Sequence, residues 1–308
     1  MSPLVSIIIC TFNRPTFLQK CLESFYSQES PIQEFEIVVV NNNSKDDTEA
    51  VALDWGKKEW MKKKSSLKYV FEEKQGLSHA RNRGVEVATG EYLLYFDDDA
   101  FAPPNYLRSL FEVILYYQPD IFGGPVYPYY TDSKPWWFRD EYEIRKHTDK
   151  SGFSKLCKVS GGNFGIKKSI LIQLGLFDPS LGMQGGKIGM CEETKVLETY
   201  RMKTSLFHQR VYYSLELFIY HYTPKEKMSV GYILKRNMEA GRSSIFMHVS
   251  MGRYGRSALL LRAKTKFKKA CLKLFQEIVQ QGPLKADYVD AMRDVAYALG
   301  MLKECVKL

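Results

Sequence analysis

Residues 91–99 read Glu91-Tyr92-Leu93-Leu94-Tyr95-Phe96-Asp97-Asp98-Asp99. An apolar run of strand length ends, without a spacer, in three carboxylates. Adjacent carboxylates repel one another. A hard divalent cation, Mg²⁺ or Mn²⁺, held by one or two of them while substrate phosphates fill the other positions, offsets that repulsion. A solvated acidic turn is the alternative reading of the same three residues.

Upstream, three more apolar runs occur at Leu4 to Cys10, Phe35 to Val40 and Leu67 to Phe71. Each reads as a strand, and helical patterns lie between them. In residues 15–28, Phe17, Leu18, Cys21, Leu22 and Phe25 recur at helical spacing, with Asn13 as the expected cap and Pro15 in the first turn. Strand and helix alternate, which predicts parallel βαβ units with ligands at the carboxyl ends of the strands. Those ends carry the unusual residues: Thr11-Phe12-Asn13-Arg14, Asn41-Asn42-Asn43-Ser44 and the acidic triplet.

Beyond Pro103 and Pro104 a helical pattern runs to Tyr117, followed by a Gly- and aromatic-rich stretch through Phe122-Gly123-Gly124-Pro125 and Trp136-Trp137. From about Pro224 long helical patterns take over, with a boundary placed near Thr223. Residues 253–273 are densely basic, with Leu260, Phe267, Cys271, Leu274 and Ile278 expected on one face.

The 308 residues suffice for a large core, and 45% hydrophobic with 26% charged residues exclude global disorder. A net charge of +9 favours anionic partners such as nucleotide diphosphates, anionic lipid or nucleic acid, and charge alone does not choose among them. Six scattered cysteines without a Cys-x-x-Cys pair suit a reducing cytoplasm. The opening MSPLVSIIIC has no basic segment before an apolar run too short for a signal or a span. The expected location is therefore cytoplasmic, with peripheral contact at the inner face of an anionic membrane through the basic stretch as a secondary reading. Packing of that stretch on the rest of the chain is the commoner arrangement. Nucleic acid is not expected as a partner, because the basic stretch lacks interleaved stacking residues.

Several motifs in order resemble family 2 glycosyltransferases with the GT-A fold, over roughly Val5 to Ser243. VSIIICTFNR (5–14) is similar to the family's opening strand and nucleotide loop, and EIVVVNNNSKDDT (36–48) to its second strand and base-binding turn. GLSHARNRGVEVATGEYLLYFDDD (76–99) resembles its arginine helix and DxD motif, and GGNFGIKKSILIQLGLFDPSLG (161–182) its acceptor-side segment. GMCEET (189–194) resembles its acidic catalytic motif, and residues 220–243 the helical extension of a bacterial polysaccharide subset. The fold implied is α/β: a doubly wound, Rossmann-like mixed sheet with helices on both faces and a C-terminal helical extension. The domains implied are 1–223, divided into a nucleotide-sugar half (1–100) and an acceptor half (101–223), and the extension 224–308.

The resemblance implies roles residue by residue. Asp97 and Asp99 match the ends of the DxD motif as metal ligands, joined by His221, which matches an additional ligand in some members. Asp97 and Asp98 would also face the donor. Thr11, Asn13, Arg14 and Asn42 would border the nucleotide, and Arg81 would lie near the diphosphate. Glu193 matches the catalytic base, with Glu192 beside it in the catalytic pair. Two departures stand out: asparagines replace the usual base-contacting aspartate, which leaves uridine as the first choice of base, and Glu193 is a glutamate where the family has aspartate. Taken without the resemblance, Glu192 and Glu193 complement the positive end of a helix, and His221 is a lone histidine between tyrosines.

The expected activity is inverting transfer from a nucleotide sugar, with a UDP-sugar first, to a hydroxyl of a glycan or lipid-linked acceptor, in cell-surface polysaccharide or glycoconjugate synthesis and with Mn²⁺ or Mg²⁺. A nucleotidyltransferase acting on a sugar phosphate and a non-catalytic carbohydrate-binding protein are the rival classes. Trp136 and Trp137 either stack on acceptor sugars or anchor a loop.

Overall fold

A computed structural model describes residues 3–28, 33–58, 65–281 and 286–307. The chain divides into two compact units: Met1–Tyr129 with Ile144–Ser180 and Glu192–Tyr222, and Tyr130–Glu143 with Leu181–Cys191 and Thr223–Leu308.

The first unit is built on β1 (Val5–Thr11), β2 (Phe35–Asn41), β3 (Ser65–Phe71) and β4 (Tyr92–Asp97). These four strands are parallel, in the order β3-β2-β1-β4. Successive side chains on a strand point to opposite faces, so one apolar run feeds two cores. Ile7, Ile9, Ile37, Val39, Leu94 and Phe96 pack with Leu18, Cys21, Leu22 and Phe25 of α1 (Pro15–Tyr26). Ile8, Val38, Val40, Leu93 and Tyr95 pack on the other face with Ala80 and Val85 of α3 (Leu77–Val87), which follows α2 (Thr48–Gly56) in the chain. Each fully buried Val, Leu, Ile or Phe side chain among them contributes about 1.5–3 kcal/mol relative to exposure.

The predicted cap of α1 is not the observed one. Arg14 takes the N-cap position with extended φ, while Asn13 adopts φ 52° and turns its side chain toward the loop after β2. Asparagine tolerates this left-handed conformation because its short amide finds local partners.

After β4 come β5 (Ala100–Phe101), α4 (Tyr106–Glu112, continued by a π-helical turn to Tyr117), β6 (Ile121–Gly123), β7 (Val126–Tyr129) and β8 (Gly152–Phe153). Then follow β9 (Asn163–Lys167), α5 (Lys168–Leu174), α6 (Glu192–Lys203), β10 (Val211–Tyr213) and β11 (Ile219–Tyr222). β9 pairs antiparallel with β4 and β6, which makes the large sheet mixed, in the order β3-β2-β1-β4-β9-β6-β10-β8. A small second sheet has the order β5-β11-β7. This is the GT-A arrangement the motifs implied.

The second unit holds α7 (Val230–Ser250), α8 (Arg256–Gln281) and α9 (Ala286–Lys307). Gly241 of α7 and Gly300 of α9 lie against each other's helix backbone, where an added Cβ would collide. Residues 130–143 join the same unit: Phe138 and Tyr142 pack with Met228, Ile233 and Val289, and Arg139 pairs with Asp287 and Asp290 at 2.6 and 2.8 Å. The two tryptophans separate here. Trp137 packs against this cluster, whereas Trp136 is exposed. In α8 the buried face is formed by Leu259, Ala263 and Ala270. The stripe expected there sits to one side of it: Leu260, Phe267, Cys271 and Leu274 are half-buried and Ile278 is exposed, because Leu259 and two small alanines supply the contact.

Candidate active site

β1 and β4 are in register so that Cys10 stands opposite Asp97, and β1 and β2 so that Thr11 stands opposite Asn41. The carboxyl ends of three strands therefore fall on one edge, and the unusual residues at those ends meet there. Asp97 ends β4 with a partly open side chain, while Asp98 and Asp99 are buried. Arg14 Nη1 donates to Asp98 Oδ1 at 3.2 Å and to Asp99 Oδ2 at 3.1 Å. Even so, burial and then the Asp99 carboxylate push Asp98 up to about 7, against the pull of Arg14.

Directly after the triplet, β5 pairs antiparallel with β11, setting Ala100 against His221. His221 Nε2 is thereby 3.1 Å from Asp99 Oδ1 and 3.8 Å from Asp97 Oδ2. One ligand atom from each of Asp97, Asp99 and His221 lies within 4.8 Å of the others. Two carboxylate oxygens and an imidazole nitrogen at that spacing are within reach of a single divalent ion, whose bonds to oxygen run about 2.0–2.6 Å. The residues present fit Mn²⁺ or Mg²⁺.

The second cluster is built around Arg81, on the α3 face that packs against the sheet. Its buried guanidinium donates from Nη1 to Glu192 Oε1 at 2.9 Å and from Nη2 to the Gly161 carbonyl at 3.0 Å, and lies 4.0 Å from Asp97 Oδ1. The rings of Tyr95 and Phe177 flank it at 5.6 and 5.3 Å. Glu192 and Glu193 open α6. Glu192 is buried, its Oε2 makes no hydrogen bond, and burial followed by the Glu193 carboxylate pushes it up to about 7, against the pull of Arg81. Glu193 is half-buried.

Gly161 and Gly162, which in sequence are part of the acceptor-side segment, border both clusters. A Cβ at Gly162 would collide with the Asp97 carboxylate, and one at Gly161 would stand 2.9 Å from Arg81 Nη2 and 3.3 Å from Glu193 Cδ. The paired glycines just ahead of β9, the strand that joins β4, were the available signal. The Arg81–Glu192 pair had no local signal.

On the nucleotide side, Thr11 is buried with its side chain beside Asp98. Asn13 bridges the loops after β1 and β2: its backbone N–H donates to Ser44 Oγ at 2.9 Å and its Oδ1 accepts from Lys45 N at 2.8 Å. Asn42 is committed on both ends of its amide. Nδ2 donates to the carbonyls of Glu72 and Lys74 at 3.3 and 2.7 Å, and Oδ1 accepts from Gly76 N at 2.8 Å and Gln75 Nε2 at 3.2 Å. It thereby anchors the turn that launches α3 and, with it, Arg81.

Among curated proteins, the chain is 24% identical over 253 residues to the glucosyl-dolichyl phosphate glucuronosyltransferase of Haloferax volcanii, covering 79% of this chain and 77% of that protein. The matches to other curated relatives cover 35% to 58% of this chain and 22% to 55% of those proteins. The mannosyltransferase PcManGT of Pyrobaculum calidifontis, solved with GDP-Man and Mn²⁺, superposes with a TM-score of 0.56 at 18% identity over 100% of this chain and 75% of that one. S. aureus TarS 1-349 in complex with UDP-GlcNAc gives 0.56 at 17% identity over 96% and 90%. At such identities these two share the fold with this chain. The sequence itself carries the family: residues 6–175 match the model for "Glycosyl transferase family 2", and this chain belongs to that family.

Proposed function

We propose that the protein transfers a sugar, with inversion, from a nucleoside-diphosphate donor to a hydroxyl of a glycan or lipid-linked acceptor, in cell-surface polysaccharide or glycoconjugate synthesis. A UDP-sugar is the first candidate donor. The observation that carries this reading is the meeting, on one sheet edge, of three cation donors, a buried arginine and a half-buried glutamate in a family 2 scaffold. The donors held by two fold neighbours, GDP-Man with Mn²⁺ and UDP-GlcNAc, lend support to the donor class.

Asp97, Asp99 and His221 would hold Mn²⁺ or Mg²⁺, which when bound neutralises charge on a donor diphosphate. Thr11 and Asn13 border the nucleoside, and Asn42 shapes that loop from behind. Arg14, the counter-charge of Asp98 and Asp99, would turn toward phosphate oxygens of the donor, which its planar fork suits. Arg81 adds fixed positive charge beside Asp97, where it favours the departing diphosphate. Glu192 keeps that guanidinium in position.

Glu193 acts as general base. The acceptor O–H proton passes to its carboxylate, the acceptor oxygen forms a bond to the anomeric carbon, and the anomeric carbon–phosphate oxygen bond breaks, leaving the nucleoside diphosphate. Attack opposite the leaving group inverts the configuration.

Incubation with a panel of nucleotide sugars, Mn²⁺ and candidate acceptors tests the reading through released nucleotide and the anomeric proton of the product. Nucleoside diphosphate release with inverted configuration is expected. Retained configuration removes the inverting step, and pyrophosphate release assigns the site to nucleotidyl transfer.

A further inference from the structure

Helix α8 carries a second apolar stripe, on the side away from its packed face. Taking Leu259, Ala263 and Ala270 as the buried side and turning 100° per residue, the opposite side collects Leu261, Lys268, Leu272, Phe275 and Val279. The four apolar members are 67%, 54%, 65% and 67% exposed. Basic residues border them: between Arg253 and Lys273 there are eight Lys and Arg and no Asp or Glu. Beside the stripe runs a groove of about 640 Å³ lined by Arg262, Lys266, Lys269 and Lys273, with Leu261 on its wall and Asp294 as its carboxylate.

Water is a poor solvent for such a stripe, and an apolar row in a basic border has a defined complement. Nucleic acid matches the charge, but Phe275 is the stripe's one aromatic, so a row of bases has little to stack on. An anionic leaflet matches both parts: acyl boundary for the stripe, headgroup phosphate for the lysines and the groove. No helix among the described residues is long and apolar enough to cross a membrane, so the contact is one of surface.

We propose that α8 docks the protein on an anionic phospholipid surface, with Leu261, Leu272, Phe275 and Val279 entering the acyl boundary and Lys264, Lys268 and Lys269 meeting the headgroups. This inference is independent of the donor chemistry, since none of these residues belongs to the site at the sheet edge.

Flotation of the full chain with phosphatidylcholine vesicles, with and without phosphatidylglycerol, tests it. The protein is expected to float with the anionic vesicles and stay behind with the neutral ones, and high salt should weaken the association. Leu272→Ser with Phe275→Ser should lower partitioning by about tenfold or more, at unchanged melting temperature and unchanged nucleotide-sugar binding. Lys264→Glu with Lys268→Glu should act in the same direction. Failure of the wild-type chain to float with anionic vesicles, or equal flotation of the serine double variant, overturns the proposal. So does a wild-type dimer that ignores vesicles and dissociates in that variant, which would assign the stripe to a second copy of the chain.

Discussion

His221 Nε2 stands 3.1 Å from Asp99 Oδ1, and the contact is made by β5, a strand of two residues. Because β5 follows the acidic triplet immediately and pairs with β11, the backbone ladder that sets Ala100 against His221 also delivers the imidazole to the carboxylates. Tyr222 N donates to the Asp99 carbonyl at 2.9 Å, which fixes the register next to the contact. The group is therefore a product of sheet topology, which brings His221 to Asp97 and Asp99 from far along the chain.

Removal of either partner should be read in metal binding before activity. Wild-type protein with a nucleotide sugar should gain thermal stability on addition of Mn²⁺ and lose it with EDTA. Asp99→Asn should abolish that gain, and His221→Ala should weaken Mn²⁺ affinity by at least about tenfold, the scale on which even outer partners of metal ligands matter. An unchanged Mn²⁺ titration in both variants would place the ion elsewhere.

Gly162 touches Asp97 so closely that no side chain fits between them. Gly162→Ala should cost about 1–3 kcal/mol in denaturant unfolding, as overpacked sites do, and should also lower Mn²⁺ affinity by displacing Asp97. Wild-type metal affinity in this variant would show that the carboxylate has room to move.

Glu192 and Glu193 should separate by function. Glu193→Gln should retain donor binding and lose about 10²–10⁴-fold in transfer rate, the usual range for a general base. Glu192→Ala instead leaves the buried Arg81 guanidinium without its carboxylate, and breaking a buried pair this way costs about 3–5 kcal/mol. Stability measured by denaturant titration and single-turnover kinetics, applied to both variants, distinguish the roles.

The raised pKa of Glu192 gives a pH dependence of known sign. Its folded value, about 7, lies above its ordinary 4.5. The folded chain thus holds this proton more tightly than the unfolded chain, and the stabilisation is full below 4.5 and lost as pH rises through 7. Across roughly pH 5 to 8, wild-type protein should lose stability relative to Glu192→Gln, which has no proton to release there. Parallel stability profiles for the two proteins would mean that Glu192 ionises normally.

The parts of the fold legible in sequence were those written in local pattern. Four apolar runs marked β1 to β4 within a residue or two, and Asp97 to Asp99 stood out because carboxylates rarely follow such a run. What local pattern could not carry was partnership across distance. Nothing near Arg81 points to Glu192, and nothing in residues 130–143 announces packing with Val289. Asn13 does not cap α1 because its amide serves the loop after β2, a tertiary contact that overrides the local preference. The most buried side of α8 is less legible, because beside Leu259 it is made by Ala263 and Ala270, and alanine gives a weak periodic signal.

The most direct measurement is calorimetric titration of the purified protein with a panel of nucleoside-diphosphate sugars, in saturating Mn²⁺ and again in EDTA, alongside Asp99→Asn. At least one sugar nucleotide should bind the wild-type protein with Mn²⁺, lose most of its affinity in EDTA, and fail to bind the variant. No binding of any sugar nucleotide in Mn²⁺, or equal binding in EDTA, would contradict a cation-assisted donor site at Asp97, Asp99 and His221.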